Sequence, residues 1–135
     1  MSDRPSVLFV CVKNGGKSQM AAGMMRHLVG KRVDVDSAGT YPGEKVNALS
    51  AEVLLEIGVD ITGGRPQQLT DAMIADADRV VVLGRDAHVA SVAGTPVEVW
   101  DTDEPSERGI DGLERMQLVR DDIHRRVQSL VQELR

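Results

Sequence analysis

The sequence is poor in cysteine and in aromatic side chains. Among its 135 residues there is one cysteine, one phenylalanine, one tyrosine and one tryptophan. A single cysteine forms no internal disulfide, which fits a reducing compartment such as the cytoplasm. The chain also lacks an apolar run of about 20 residues and an N-terminal segment typical of a signal peptide. These absences predict a cytoplasmic protein without a membrane partner, whose core is built from Val, Leu, Ile, Met and Ala.

Basic residues are in deficit as well. The chain has 16 Lys and Arg against 21 Asp and Glu, which gives a formal net charge of −5. Because nucleic acids and anionic membranes bind basic surfaces, this balance argues against both as partners. The length of 135 residues and the apolar content of 41% favour a single domain over residues 1–135 with one core.

Short apolar runs alternate with helix-like stretches along the chain. The pattern predicts strands at residues 6–12, 33–37, 79–84 and 97–100 and helices at residues 18–29, 47–57, 70–77, 86–92 and 113–134. Ser18 is placed to cap the first of these helices, and Thr70 or Asp71 the third. This order is typical of an α/β fold with a doubly wound, four-stranded parallel sheet and helices on both faces. Such sheets bind ligands beyond the carboxyl ends of their strands.

The single cysteine, Cys11, stands where the first predicted strand ends and a glycine-rich loop begins. The loop leads directly into the first predicted helix. It turns backbone N–H groups into one concave space at the positive end of the helix dipole, which suits a tetrahedral oxyanion. The same surroundings favour a thiolate, so Cys11 is predicted to be a nucleophile. The predicted oxyanion-binding loop consists of Val12, Lys13, Asn14, Gly15, Gly16, Lys17 and Ser18.

The side chains around the loop divide into ligands and supports. Lys17 is predicted to hold the charge of the anion, whereas Lys13 either binds the anion or only lies at the rim. Asn14, Ser18 and Ser37 are predicted to brace the loop. No metal site is expected, because the three histidines have no cysteine, carboxylate or second histidine at ligand spacing: these are His27, His88 and His124.

A nucleotide-binding loop is the first alternative. Its motif is G-x-x-x-x-G-K-[ST], and this chain has Cys11-x-x-x-x-Gly16-Lys17-Ser18, which lacks only the first glycine. A nucleotide triphosphatase also needs a magnesium-binding aspartate at the end of another strand. The strand predicted at residues 79–84 ends in Leu83-Gly84 instead, which argues against this alternative.

A wider set of motifs resembles the low-molecular-weight protein tyrosine phosphatases and their arsenate reductase relatives. The anion loop of that family has the form C-x5-R-[ST], and this chain has Cys11-x5-Lys17-Ser18. Further similar segments follow in the order of the family: Ser18-Gln19-Met20-Ala21, Asp36-Ser37-Ala38-Gly39-Thr40, Gly58-Val59-Asp60-Ile61, Trp100-x3-Glu104-Pro105 and Val119-Arg120-Asp121-Asp122-Ile123. The resemblance implies that the Cys11 thiolate attacks the oxyanion, that the loop and Lys17 hold it, and that a carboxylic acid protonates the departing oxygen.

Three positions depart from the pattern of the family. Lys17 stands where the family has an arginine, which clamps a tetrahedral anion at two points. Glu104 stands where the family has an aspartate before proline, so Glu104 is the expected general acid, with Asp103 as the alternative. One group of the reductases regenerates itself with two further cysteines, but this chain has Leu83-Gly84-Arg85-Asp86 in that region and no other cysteine.

A reductase with one cysteine needs an external thiol. The single-cysteine members that this loop resembles pass arsenate to mycothiol, and a mycoredoxin then reduces the adduct. The resemblance therefore implies an arsenate–mycothiol transferase, with mycothiol as co-substrate and no tightly bound cofactor. A low-molecular-weight phosphatase is the alternative enzyme, although only Tyr41 could line a pocket for a phenol ring. A protein that merely binds oxyanions or senses thiols is the third hypothesis, and the oligomeric state stays open between a monomer and a homodimer.

Overall fold

The computed structural model describes residues 4–134. Its strands are β1 (Ser6–Cys11), β2 (Asp34–Gly39), β3 (Arg79–Leu83) and β4 (Val97–Trp100). Its helices are α1 (Lys17–Val29), α2 (Ala48–Leu55), α3 (Asp71–Asp76) and α4 (Gly112–Glu133), with short 3-10 turns at Gly30–Arg32 and Pro105–Arg108. All strand pairs are parallel, in the order β2-β1-β3-β4. The predicted α/β fold with a four-stranded parallel sheet is confirmed.

The larger core lies between the sheet and the helices α1, α2 and α4. Side chains alternate along a strand, so Phe9 of β1 faces this core while its neighbour Leu8 faces the opposite side. The ring centroid of the fully buried Phe9 lies 5.8 Å from that of Trp100. Flexible methionine side chains of α1 take the space that aromatic residues often fill: these are Met20, Met24 and Met25.

Helix α4 closes this core with the apolar stripe that its spacing predicts. The buried residues of the stripe are Met116, Val119, Ile123, Val127 and Leu130. On the flank of the stripe, Arg120 donates to the backbone oxygen of Val53 at 2.9 Å and pairs with Glu56 at 2.7 Å. Arg120 thereby ties α4 to α2.

The opposite face of the sheet is covered by α3 and by residues 86–92. Thr70 caps α3 by accepting a hydrogen bond from the Met73 N–H, as one of the two predicted caps.

The predicted helix at residues 86–92 is wrong, because this segment contains no helix. Ala87 and Val89 both pack on the smaller core of this face. In a helix, residues two positions apart point to different faces, so a helix would not place both Ala87 and Val89 on this core. So short a segment also gains little stability from helix formation alone.

The carboxyl ends of the strands meet at one edge of the sheet. Cys11 ends β1 in register with Gly39 at the end of β2, and Leu83 ends β3 in register with Trp100 at the end of β4. Four chain segments that leave the sheet therefore come together around Cys11. Within residues 4–134, no helix has the length and the apolar character that a membrane crossing requires.

Candidate active site

The Cys11 sulfur is buried at the base of the loop that follows β1. Sγ lies 2.9 Å from the Ser18 hydroxyl oxygen and accepts a hydrogen bond from the Asn14 N–H at 3.3 Å. These two contacts fix the sulfur at the centre of the loop.

The carbonyl groups of the loop point away from the sulfur. Four of them accept hydrogen bonds from N–H groups of residues 40–47: Cys11 from Thr40 at 3.1 Å, Val12 from Tyr41 at 2.8 Å, Lys13 from Gly43 at 2.9 Å and Gly15 from Asn47 at 2.6 Å. In a planar peptide the N–H points opposite to the preceding C=O, so the next N–H turns inward in each case. In the described chain, the N–H groups of Lys13 and Gly16 have no acceptor. The loop thus offers inward donors to an oxyanion.

Asn14 is the central brace of the loop. It is fully buried and has a φ of +52°, a left-handed conformation that asparagine tolerates better than most residues. Its side-chain amide donates to Ser18 Oγ at 2.8 Å, and its Oδ1 accepts from the Gln67 N–H at 3.0 Å. Its backbone oxygen accepts from Gln19 Nε2 at 3.1 Å. The predicted brace therefore lies at the centre of the hydrogen bonds that shape the loop.

The other two predicted braces differ from each other. Ser18 does not cap α1, since the N-cap is Gly16 and no side chain caps this helix. The Ser18 hydroxyl instead joins Asn14 to Cys11. Ser37 is buried in β2, but in residues 4–134 no hydrogen bond joins its side chain to the loop. Its backbone oxygen accepts from Gln67 Nε2 at 2.7 Å, so Gln67 makes the contacts that were expected of Ser37.

Two bracing residues were missed by the sequence analysis. Gln19 belongs to the Ser18-Gln19-Met20-Ala21 motif, and its buried amide holds the Asn14 backbone from inside α1. The motif supported the family resemblance, but no role was assigned to Gln19 itself. Gln67 lies 53 residues from Asn14 along the chain, and nothing in its local sequence distinguishes it from a polar loop residue.

Gly39 lets β2 pass directly under the loop. A Cβ at this position would lie 2.6 Å from the Val12 backbone oxygen and 3.0 Å from the Asn14 backbone nitrogen. Real Cβ atoms do not approach backbone atoms that closely, and backbone cannot swing aside as a flexible side chain can. The glycine of the Asp36-Ser37-Ala38-Gly39-Thr40 motif is therefore required by the contact between the second strand and the anion loop.

Lys17, the first residue of α1, reaches across the mouth of the loop to Glu104. Lys17 Nζ lies 2.5 Å from Glu104 Oε1, and their side chains are only 20% and 22% exposed. The ammonium group also lies over Gly84, where a Cβ would approach Nζ to 3.3 Å. The structure therefore brings the predicted anion ligand and the predicted general acid together. Lys13, by contrast, is exposed at the rim.

Asp103, the alternative acid, is held differently. Its two carboxylate oxygens accept hydrogen bonds from Arg108 Nη1 at 2.7 Å and Arg108 Nη2 at 3.2 Å. The hydrogen bond from Arg108 lowers the pKa of Asp103 below its ordinary range, with a smaller Coulombic contribution from the same guanidinium. The Asp103 carboxylate is thus held by Arg108, whereas the Glu104 carboxylate lies beside Lys17 at the mouth of the anion loop.

The acid loop, residues 101–105, is fixed from α4. Asp122 Oδ2 accepts a hydrogen bond from the Asp103 N–H at 2.8 Å, and Arg126 Nη2 donates to the Asp101 oxygen at 2.9 Å. Arg126 and Asp122 also pair with each other at 3.2 Å, one helical turn apart. The sequence analysis saw Asp122 only as part of a family motif, and it gave no signal for Arg126.

The histidines take no part in this arrangement. His27 and His88 are exposed and His124 is half-buried, so the surface position predicted for His124 holds only in part. Across residues 4–134, no group of three His, Cys, Asp or Glu side chains could hold a metal ion.

The fold and the site together define a phosphatase-like α/β protein, in which a cysteine lies under a loop of inward N–H groups and a carboxyl group lies opposite. A family model confirms this class: the model described as low molecular weight phosphotyrosine protein phosphatase matches residues 6–135. The chain belongs to this family.

Three relatives of this chain are described as arsenate reductases. An arsenate reductase of Bacillus cereus is 30% identical over 132 residues, which cover 94% of this chain and 94% of the relative. A thioredoxin-dependent arsenate reductase of Corynebacterium glutamicum has a solved structure with a TM-score of 0.83 and 32% identity. It aligns with 98% of this chain, which spans 63% of that longer chain. An arsenate reductase solved in its phosphate binding state has a TM-score of 0.83 at 27% identity, with 97% and 99% coverage.

Proposed function

We propose that this protein is a cytoplasmic arsenate reductase of the single-cysteine type, which transfers arsenate to mycothiol. The observation that carries the proposal is the position of Cys11, the one cysteine among 135 residues, under inward N–H donors. The relatives described as arsenate reductases, at 27 to 32% identity over nearly the whole chain, support arsenate as the oxyanion.

The first step joins sulfur to arsenic. The Cys11 thiolate attacks the arsenic of arsenate, and one arsenate oxygen leaves as water after Glu104 has supplied a proton. The inward N–H groups and Lys17 hold the remaining oxygens while charge builds up on them. Asp103 stays paired with Arg108 and serves to fix the acid loop.

The second step has to come from another molecule. In the proposed sequence the mycothiol sulfur displaces Cys11, so the arsenic–sulfur bond to the enzyme breaks while the bond to mycothiol forms. Arsenic is still pentavalent at this point. A thiol of mycoredoxin then attacks the mycothiol sulfur, and arsenite leaves with the two electrons of the broken bond. Gly84 and Arg85 follow β3, and the chain has no second cysteine that could form an internal disulfide with Cys11.

A low-molecular-weight phosphatase is the second candidate function. The family match supports it, and a phosphatase needs only Cys11, an acid and water. Aryl phosphates, however, are commonly bound against aromatic side chains. Phe9 and Trp100 are buried in the core, and Tyr41 beside the loop is 80% exposed. This rim offers little surface for a phenol ring and favours an inorganic oxyanion.

The deciding experiment measures arsenite formation in a matrix of thiols and reductases. Arsenite is expected only when arsenate, mycothiol and a mycoredoxin are supplied together, and thioredoxin alone should not support turnover. Aryl phosphate hydrolysis without any thiol is measured beside it. A folded Cys11→Ser variant should be inactive in every arm, which excludes a contaminating enzyme.

Each other outcome selects a different function. Fast phosphate hydrolysis without arsenite in any arm would make the protein a phosphatase. Turnover with thioredoxin alone would contradict the proposed role of mycothiol. If neither reaction occurs but arsenate protects Cys11 from alkylation, the protein binds oxyanions without transforming them.

A further inference from the structure

A cavity of about 400 Å³ lies beside the anion loop, between that loop and α4. Lys13, Gly16 and Lys17 line it from the loop, Lys45 lines it from the connection that leads to α2, and Arg115 lines it from α4. Lys17, which reaches across the mouth of the anion loop to Glu104, is one of the lining residues, so the cavity adjoins that mouth. None of the steps proposed above uses it.

The lining of the cavity is strongly basic. Lys13, Lys17, Lys45 and Arg115 all contribute to it, and no acidic side chain does, although the chain has a formal net charge of −5. Elsewhere the arginines of this protein are largely paired with carboxylates, as Arg79 is with Glu98. Four cations that face one cavity repel one another unless a negative charge lies among them.

Three of these cations have no acidic partner. Within residues 4–134, Lys13, Lys45 and Arg115 form no ion pair, whereas Lys17 pairs with Glu104. Arg115 Nε is moreover buried and has no hydrogen-bond partner in the described chain. A buried donor without an acceptor costs free energy, and a ligand oxygen would remove that cost. The donors of the cavity thus favour an anionic ligand.

The floor of the cavity is apolar. It is formed by the half-buried Val46 and by Met116 and Val119, which are buried in the larger core. Methylene groups can lie on such a floor while a charged end reaches the cations around it. Arsenate or phosphate alone has a single anionic centre and no such apolar part.

We propose that this cavity is a second anion subsite, which takes the carboxylate of an organic oxyanion whose tetrahedral end lies in the Cys11 loop. The ligand class is a small phosphate or phosphonate with a short methylene chain and a carboxylate. Lys45 and Arg115 bind the carboxylate, and the loop binds the tetrahedral group. This site goes beyond the transfer of arsenate and does not depend on turnover.

The test compares matched phosphonates by direct calorimetric titration. Phosphonoacetate, 3-phosphonopropionate and 4-phosphonobutyrate are the probes, and methyl-, ethyl- and propylphosphonate lack only the carboxylate. At least one carboxylated probe is expected to bind the wild-type protein about tenfold more tightly than its partner, as for a charge-assisted hydrogen bond. The gain should fall as salt rises, because the cations lie near the surface.

Variants locate the effect. Lys45→Ala and Arg115→Gln should each reduce the gain from the carboxylate, and the double variant should abolish it, while the affinity for the plain phosphonates stays the same. Lys31→Ala, at an exposed lysine outside the cavity, should keep the full gain. Equal affinity for all matched pairs in the wild-type protein, or an undiminished gain in a folded double variant, would overturn the proposal. Because binding is measured without arsenate or thiol, failure of the proposed reductase function leaves this test intact.

Discussion

The ammonium group of Lys17 lies 2.5 Å from Oε1 of Glu104 and thus joins the anion loop to the acid loop. The two residues are 87 positions apart in the sequence. An ammonium group has three N–H donors, so Lys17 can hold Glu104 with one and an oxyanion oxygen with another. In the proposed reaction, an oxyanion that enters competes with the Glu104 carboxylate for the same ammonium group, which places the Glu104 carboxyl group beside the oxyanion.

Substitution of Lys17 tests this double role. Lys17→Ala should lower the rate roughly 10²–10³-fold, as does the loss of one donor to a developing negative charge. Lys17→Arg should instead raise aryl phosphate hydrolysis relative to arsenate transfer, because a guanidinium clamps a tetrahedral anion at two points. Both rates are measured on each variant under identical conditions. An unchanged ratio in Lys17→Arg would show that Lys17 does not set the preference between the two reactions.

The two acid candidates should respond differently to loss of their charge. Glu104→Gln is expected to lower the rate by about 10²-fold or more and to remove the pH dependence that comes from the general acid. Asp103→Asn should keep the shape of that pH profile. Profiles of kcat for both variants decide the assignment, and an altered profile in Asp103→Asn alone would make Asp103 the acid.

Asp103 should matter for stability instead. Its pKa is lowered because it accepts hydrogen bonds from Arg108. A lowered pKa means that the folded state binds the proton less well than the unfolded state. The contribution of the ion pair is therefore fully present above the ordinary pKa of about 3.9, and it is lost as the pH falls through the lowered value. Denaturation of wild type and Asp103→Asn should differ at pH 7 and converge in acid.

Gly39 gives a structural test of the anion loop. Gly39→Ala places a Cβ against the backbone of Val12 and Asn14, so it should destabilise the fold by about 1–3 kcal/mol and slow the reaction. Gly63→Ala is the matched control, since a Cβ there meets nothing within 4 Å. Urea denaturation and turnover are compared for the two variants. If Gly39→Ala behaved like Gly63→Ala, the strand would not support the loop as described.

Local patterns predicted most of the fold and the position of Cys11 under its loop. The alternation of short apolar runs with helical periods depends on neighbouring residues, so the strands and the long α4 helix could be found from the sequence. The same holds for Cys11, whose loop is continuous in the chain. The segment at residues 86–92 was misassigned because its apolar residues fit a helix loosely. It contains no helix, and Ala87 and Val89 pack on the smaller core of the sheet.

The supports of the site depend on distant contacts instead. Gln67 reaches Asn14 only after β2 and the following connection have folded back along β1. Ser37, a family motif residue, was expected to brace the loop, but within residues 4–134 no hydrogen bond joins its side chain to the loop. Motif membership thus located the right strand but assigned the contact to the wrong residue. The choice between Asp103 and Glu104 likewise needed the position of Arg108, because both carboxylates stand in the same short loop.

The clamp from α4 onto the acid loop makes Asp122 and Arg126 positioning residues for Glu104. Asp122→Ala removes the acceptor of the Asp103 N–H, and Arg126→Ala removes the donor to the Asp101 oxygen. Each should let the acid loop move and lower kcat by roughly tenfold, up to about 10²-fold, because small displacements of a catalytic group are costly. KM for the oxyanion should change little, since the anion loop is untouched.

The neighbouring Arg125→Ala is the matched control for this clamp. Arg125 also contacts Asp122, at 3.5 Å, but it is 69% exposed and makes no hydrogen bond to the acid loop. It should therefore leave kcat unchanged.

Asp122→Asn keeps an acceptor oxygen and should recover much of the rate that Asp122→Ala loses. The rate of Cys11 alkylation is measured on every variant and should match the wild type, because the loop around the sulfur is intact. A fall in kcat with no change in pH profile, KM or alkylation would place the effect on the acid loop. Equal losses in Arg125→Ala and Arg126→Ala would instead show a general effect of charge on α4.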